Sequence, residues 1–188
     1  GVEIAKVDEQ MQPVPGTEKR IDCDTLILSV GLIPENEMAE SLRVTMDPRT
    51  KGPVCDSWAM TDVPGVFSCG NAFHVDYVSE SGELAGTSAA RYSRELKGEA
   101  DRTAENWISV ETEGGLAYVV PQKIRKSDLD KKLVFYFRCR RTMGESMLAA
   151  VSAGKTVFEK KYQAVRPPEM ERVVIDLSKA DIVGTSLV

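Results

Sequence analysis

The sequence predicts an α/β region followed by a small all-β, sandwich-like domain, and three observations carry that reading. Apolar runs that stop at glycine occur at Leu26–Gly31 and Val66–Gly70, as expected of short buried strands. A stretch with helical spacing follows, from Ser79 to Lys97. Beyond the polar segment Glu99–Glu105 the pattern becomes short period-two runs separated by turns. The boundary is expected near residue 104, dividing the chain into 1–104 and 105–188.

Taken in order, Val2, Ile4 and Val7 read as a strand, and Pro13-Val14-Pro15-Gly16 as a turn. The run from Cys23 to Gly31 reads as a strand buried on both faces, the kind a parallel sheet uses. Pro34 to Leu42 reads as a short helix with acidic residues early, which suits the helix dipole. Val44 to Val54 gives two extended pieces around a Pro/Gly turn. In the long helix, Ala85, Ala89, Tyr92 and Leu96 share a face, and Gly98 stands where a C-terminal cap belongs. Its small residues, Gly82, Gly86, Ala89 and Ala90, allow close approach of a backbone or ligand. In the last region Leu133, Phe135, Phe137 and Cys139 alternate with Val134, Tyr136, Arg138 and Arg140. Met147–Val151, Thr156–Tyr162 and Arg172–Leu177 repeat the theme.

Of the 188 residues, 42% are hydrophobic and 28% charged, enough apolar material for a real core. A net charge of −5 argues against a nucleic-acid surface. No apolar run is long enough to span a bilayer and no leader is evident, so a cytoplasmic protein is expected. Cys23, Cys55, Cys69 and Cys139 form no Cys-x-x-Cys pair and read as buried or half-buried reduced thiols. His74 is the single histidine, so no metal site is assigned and no catalytic residue is singled out. Trp58 and Trp107 read as isolated packing residues, without a stacking platform. Arg138, Arg140 and Arg141 read first as a solvated strand face and second as a docking surface.

The informative segment is Thr61-Asp62-Val63-Pro64-Gly65-Val66-Phe67-Ser68-Cys69-Gly70-Asn71. Taken singly, Gly65 and Gly70 are compatible with turns around a buried strand. Taken whole, the segment resembles the second flavin-binding signature of two-dinucleotide-binding-domain flavoproteins, the pyridine nucleotide-disulfide oxidoreductase superfamily. Leu26-Ile27-Leu28-Ser29-Val30-Gly31-Leu32-Ile33-Pro34-Glu35-Asn36 resembles the strand and loop that leave the nicotinamide domain in the same superfamily. The stretch Gly70 to Glu80 is most similar to the oxidoreductases associated with flavin-dependent glycerol-3-phosphate dehydrogenases, with a shorter loop at His74.

That resemblance, which covers roughly residues 1 to 98, implies an α/β fragment of such a flavoprotein with FAD and NAD(P) as cofactors. It implies that Gly70 and Asn71 face the FAD ribityl and phosphate groups. Amides near Ser81, Gly82 and Glu83 would face the flavin pyrimidine, and Gly31 and Pro34 would lie by the nicotinamide. Asn71 replaces the usual aspartate but keeps its hydrogen-bonding capacity. His74 reads either as a proton donor at the flavin edge or as an ordinary loop histidine. The Gly-x-Gly-x-x-Gly loops of the superfamily have no counterpart in this sequence. The expectation is therefore a C-terminal fragment, with a dinucleotide-binding portion of the same polypeptide as partner and weak or absent FAD binding alone. The parent would pass a hydride from NAD(P)H to FAD and on to an acceptor or a partner dehydrogenase subunit. Two alternatives remain: an FAD-binding subunit of a hetero-oligomeric amine or opine oxidase, and a non-catalytic module whose β domain binds a partner.

Overall fold

A computed structural model describes residues 1–8, 10–29, 34–75, 79–95 and 107–188. The fold is mixed α/β, with several small sheets and few helices. The chain divides into two units, Gly1–Leu32 and Ile33–Val188. The boundary expected near residue 104 and the cap expected at Gly98 fall outside the described residues.

In the first unit, β1 (Val2–Ile4) pairs antiparallel with β2 (Lys19–Ile21), Val2 standing opposite Ile21. The connection turns because the Asp8 carboxylate accepts the amides of Gln10 and Gln12. The Thr17 hydroxyl donates to the Val14 carbonyl on the return. The buried strand expected at Leu26 to Val30 is corrected as far as Ser29, where no strand forms. Leu26, Ile27 and Leu28 lie exposed, Ile27 at 86%. An apolar run becomes a buried strand only when strands flank it and layers cover it, and among the described residues of this unit nothing does so.

The second unit holds α1 (Glu37–Ser41) and α2 (Ser79–Glu95). It also holds β3 (Trp107–Val110), β4 (Leu116–Val120), β5 (Lys123–Arg125) and β6 (Lys132–Cys139). Then come β7 (Ser146–Ser152), β8 (Lys155–Tyr162), β9 (Glu171–Asp176) and β10 (Ser186–Leu187). One sheet runs β10-β3-β5, a second β4-β6-β9, and β7 and β8 form a hairpin. Paired amides and carbonyls of Val151 and Val188 join the hairpin to the end of β10. Every strand pair is antiparallel except β10 with β3.

The period-two pattern of β6 explains how this unit is built. One face sends Phe135 and Phe137 into a core with Ile108, Val119, Ile124, Val173, Ile175 and Leu177. The other sends Tyr136, with Val134 beside it, into a second cluster made with Cys55, Ala59, Phe73, Ala85 and Val120. Both faces are covered, so the middle of the strand is buried residue after residue. The helical spacing expected of α2 is likewise present, with Ala85 and Tyr92 buried and Ala89 half-buried.

The two extended pieces at Val44 to Val54 close through a bridge between Met46 and Pro53. Gly52, buried in that turn, passes so close to the Ala72 carbonyl oxygen that a Cβ would stand 1.9 Å from it. Gly52→Ala must push apart two backbones, and overpacking of this kind costs about 1–3 kcal/mol. The expected result is a Tm lower than that of the parent chain, measured by thermal circular dichroism.

Candidate functional site

The segment from Thr61 to Asn71 is a tight turn followed by a corner that leads towards α2. The Thr61 hydroxyl accepts the Val63 amide and donates to the Val63 carbonyl, both at 3.1 Å. The Thr61 amide meets the Val66 carbonyl at 2.8 Å, closing Asp62 to Gly65 into a turn. Gly65 takes a φ of +81°, and a Cβ there would stand 3.2 Å from the Tyr92 ring. Phe67 meets the same ring edge-on at 5.9 Å. The Pro64-Gly65 pair thus seats the turn against one residue of α2, which gives the glycine both a conformational and a packing reason.

At the corner Gly70 has a φ of +65° and begins a single turn of 3-10 helix, Gly70–Ala72. Its amide donates to the Ser81 hydroxyl at 2.8 Å. Ser81 is fully buried, so this bond ties the corner to the first turn of α2. Gly82 and Glu83, by contrast, are exposed, and nothing lies within 4 Å of where a Cβ on Gly82 or Gly86 would stand. Asn71 and Pro34 are half-buried, and Gly31 lies outside the described residues.

His74 is 2% exposed, its Nδ1 lies 2.7 Å from the Val75 carbonyl, and its ring packs edge-on against Tyr118 at 5.3 Å. Those contacts bury the ring and pack it against an aromatic neighbour. Arg138 reaches the same Val75 carbonyl at 3.3 Å, and Arg140 donates to the Leu116 carbonyl at 2.8 Å. The arginine cluster is therefore partly structural, with only Arg140 and Arg141 of the three exposed.

Beneath the corner lies a buried polar network that sequence reasoning missed. The Asp56 carboxylate is 1% exposed; one oxygen accepts the amides of Trp58 and Met60. The other accepts Nε and Nη2 of Arg125 at 3.1 and 2.7 Å. The Arg125 guanidinium lies over Trp58 at 4.1 Å and over Trp107 at 4.7 Å, and Arg91 also lies over Trp58 at 4.0 Å. The two tryptophans, expected to be isolated, thus form the walls of a cation–π stack. Gln122 bridges further, donating to Asp47 at 3.1 Å and accepting the Cys55 amide at 3.1 Å. Asp128, also buried, accepts the Ser57 hydroxyl and Lys131 Nζ, each at 2.6 Å. The Asp56–Arg125 pair spans 69 positions, and no local spacing could have disclosed it.

Burial pushes the Asp56 carboxyl upward, and the Arg125 guanidinium with the two amides pulls it back. Burial also pushes the Cys55 thiol upward, reinforced by the Asp56 charge, and raises Cys139. Neither thiol is activated as a nucleophile. Cys69 is exposed, which corrects the expectation that all four thiols are buried or half-buried. For Asp62 burial acts upward, but the hydroxyl and amide of Thr45 outweigh it and hold the carboxyl below its usual range.

The geometry defines a class: a mixed α/β protein in which a threonine-capped Pro-Gly turn and a left-handed glycine corner are bonded to the start of a long helix. Residues 1–92 match the family described as pyridine nucleotide-disulphide oxidoreductase. The match supports a relation to that oxidoreductase family for the N-terminal half of the chain and does not extend to residues 93–188. No curated protein and no solved structure matches the chain. Among the described residues no helix is long and apolar enough to cross a membrane.

Two outcomes test the network. Arg125→Met leaves the Asp56 carboxylate buried without its counter-ion, a change that costs about 3–5 kcal/mol. In urea unfolding the deficit should shrink as pH falls, because a protonated carboxyl needs no counter-ion, and Asp56→Asn should recover part of it. Asp62 has a depressed folded pKa, so its contribution is present above the ordinary aspartate range and lost as pH falls through the folded value. Asp62→Asn should lower the urea midpoint at neutral pH and match the parent in acid.

Proposed function

We propose that residues 44–95 form one wall of an FAD site in a pyridine-nucleotide-dependent oxidoreductase. The observation that carries the reading is the Gly70–Ser81 bond, which fixes a left-handed glycine against the first turn of a seventeen-residue helix. Beside that bond the flank of α2 at Gly82 and Gly86 is open to close approach. Such an opening at the start of a helix supports the reading of a cradle for one side of a phosphate-bearing cofactor.

In this reading Asn71 hydrogen-bonds the ribityl and phosphate groups, as an amide can without adding a negative charge beside a phosphate. The amides of Ser81, Gly82 and Glu83, at the positive end of α2, face the pyrimidine edge of the flavin, where negative charge collects on reduction. The Ser81 side chain is spent on the fold; its amide is the part assigned to the cofactor. Gly31 and Pro34 belong to the nicotinamide side. FAD, when bound, supplies hydride acceptance from NAD(P)H and delivery of electrons to an acceptor. The remaining walls come from a dinucleotide-binding portion carrying the two glycine loops. Electrons then pass to an acceptor or to a partner dehydrogenase subunit, the latter on the likeness of Gly70 to Glu80 to oxidoreductases associated with flavin-dependent glycerol-3-phosphate dehydrogenases.

The test is FAD titration followed by flavin fluorescence. The 188-residue chain should bind weakly or not at all. A polypeptide extended to include both glycine loops should hold FAD and be bleached anaerobically by NADH or NADPH. In that polypeptide Asn71→Ala should weaken FAD binding about tenfold, the worth of one hydrogen bond. An extended polypeptide that binds no flavin overturns the reading, and tight flavin binding by the 188-residue chain overturns the need for a second portion.

A further inference from the structure

A cavity of about 230 Å³ lies between the turn at Thr61 to Pro64 and the β3–β5 pair, and none of its lining residues is assigned to the flavin. In that pair Trp107 stands opposite Arg125 and Ser109 opposite Lys123, so Trp107 and Lys123 share one face. A bridge between Asp56 and Lys123 brings the turn-bearing segment alongside. Val54, Pro64 and Trp107, none of them fully buried, supply apolar lining. The volume exceeds the roughly 150 Å³ that holds a benzene ring and stays below the roughly 300 Å³ at which drug-sized pockets begin. It suits a single ring or a branched chain with a few further atoms.

Asp56, Thr61, Asp62 and Lys123 also line the cavity, and the first two are already engaged. Four N–H groups fill the Asp56 carboxylate, and Arg125 meets its charge. The Thr61 hydroxyl is held by the Val63 amide and carbonyl. The charges left over are Asp62, which is exposed, and Lys123, which is half-buried. The amide and hydroxyl of Thr45 each bond one Asp62 oxygen and fix the carboxylate in place, while each oxygen keeps a second lone pair. Lys123 is near enough for its charge to be felt at Asp62, yet among the described residues it enters no ion pair. Such a cavity selects against simple ions: an anion drawn to Lys123 meets Asp62, and a cation drawn to Asp62 meets Lys123. A dipolar ligand satisfies both charges at once.

We propose that this cavity binds an α-amino acid as its zwitterion, with the carboxylate on Lys123, the ammonium on Asp62 and an apolar side chain against Val54, Pro64 and Trp107. The Thr45 bonds hold one of the two charges ready, and the strand holds the backbone of the other. The site does not rest on the flavin reading, and a failed flavin titration leaves it untouched.

The test is isothermal titration calorimetry of the 188-residue chain at neutral pH with L-phenylalanine, 3-phenylpropionate and 2-phenylethylamine. The three share a ring, and the last two carry only the carboxylate or only the ammonium. The chain should bind L-phenylalanine saturably at one site and each single-charge compound about tenfold more weakly, the worth of one charge-assisted hydrogen bond. Lys123→Met should weaken L-phenylalanine and 3-phenylpropionate but strengthen 2-phenylethylamine, because the repelling charge is gone. Asp62→Asn should weaken L-phenylalanine and 2-phenylethylamine but strengthen 3-phenylpropionate. A merely structural role for either residue moves all three compounds in one direction. If Lys123→Met fails to fold, Lys123→Gln carries the same expectation. Absence of saturable L-phenylalanine binding overturns the site. Single-charge compounds that bind as tightly as L-phenylalanine, or variants that shift all three alike, overturn the pairing of the two charges.

Discussion

The Asp56 carboxylate is the constraint around which the second unit is arranged. A charge at 1% exposure persists only if its lone pairs are filled, and here four N–H groups fill them. Two come from its own turn and two from Arg125 on β5. The first pair shapes the turn that places Ala59 at a φ of +58°, a conformation that costs an alanine about 1 kcal/mol. The second pair fastens that turn to a strand, and a backbone bridge between Asp56 and Lys123 runs alongside. Trp58 and Trp107 then exclude water from the guanidinium, which strengthens the pair that needs it most. The amides of Gln122 and Lys123 on the Cys55 carbonyl complete the fastening.

From that anchor the corner follows by close packing. The 55–60 turn delivers Ala59 and Cys55 to the cluster beneath β6, together with Phe73 and Ala85. Phe73 lies just beyond the 3-10 turn and Ala85 lies on α2, so the corner and the helix share a floor. Three further contacts then remove the remaining freedom: Gly52 on the Ala72 carbonyl, Gly65 on the Tyr92 ring, and the Gly70 amide on Ser81. Each is a place where a backbone comes unusually near another group. Glycine is therefore required at positions 52 and 65 by what stands opposite.

Local order was legible in the sequence because period and turn chemistry are local. The alternation in β6, the spacing in α2, and the turns at Pro13–Gly16 and within Val44 to Val54 all belong to that class. The same reasoning failed at Leu26 to Ser29, where an apolar run indicates burial but not what would bury it. It also failed at Trp58 and Trp107, which look isolated because the residue between them, Arg125, comes from another part of the chain. The glycine corner and the helix after it were legible as a pattern of glycines and small residues. Its foundation of Asp47, Asp56, Asp128, Gln122 and Arg125 was not, because acidic and basic residues scattered along a chain carry no sign of which will be buried together.

The distribution of rigidity bears on chemistry. Everything that holds the Gly70 corner lies on its inner side: Ser81 is fully buried, and the Asp56 network is sealed by indole rings. Among the described residues, Gly82, Glu83 and Gly86 on the outer side are small or polar and exposed. A helix terminus attracts an anion only while its amides remain accessible and pointed in a fixed direction. In the proposed site the inner bonds would supply the fixed direction, and the small residues at 82 and 86 the access. A bulkier residue at Gly82 would leave every inner contact intact, so no packing among the described residues requires glycine there, and in the proposed FAD site its openness is what would let the cofactor approach.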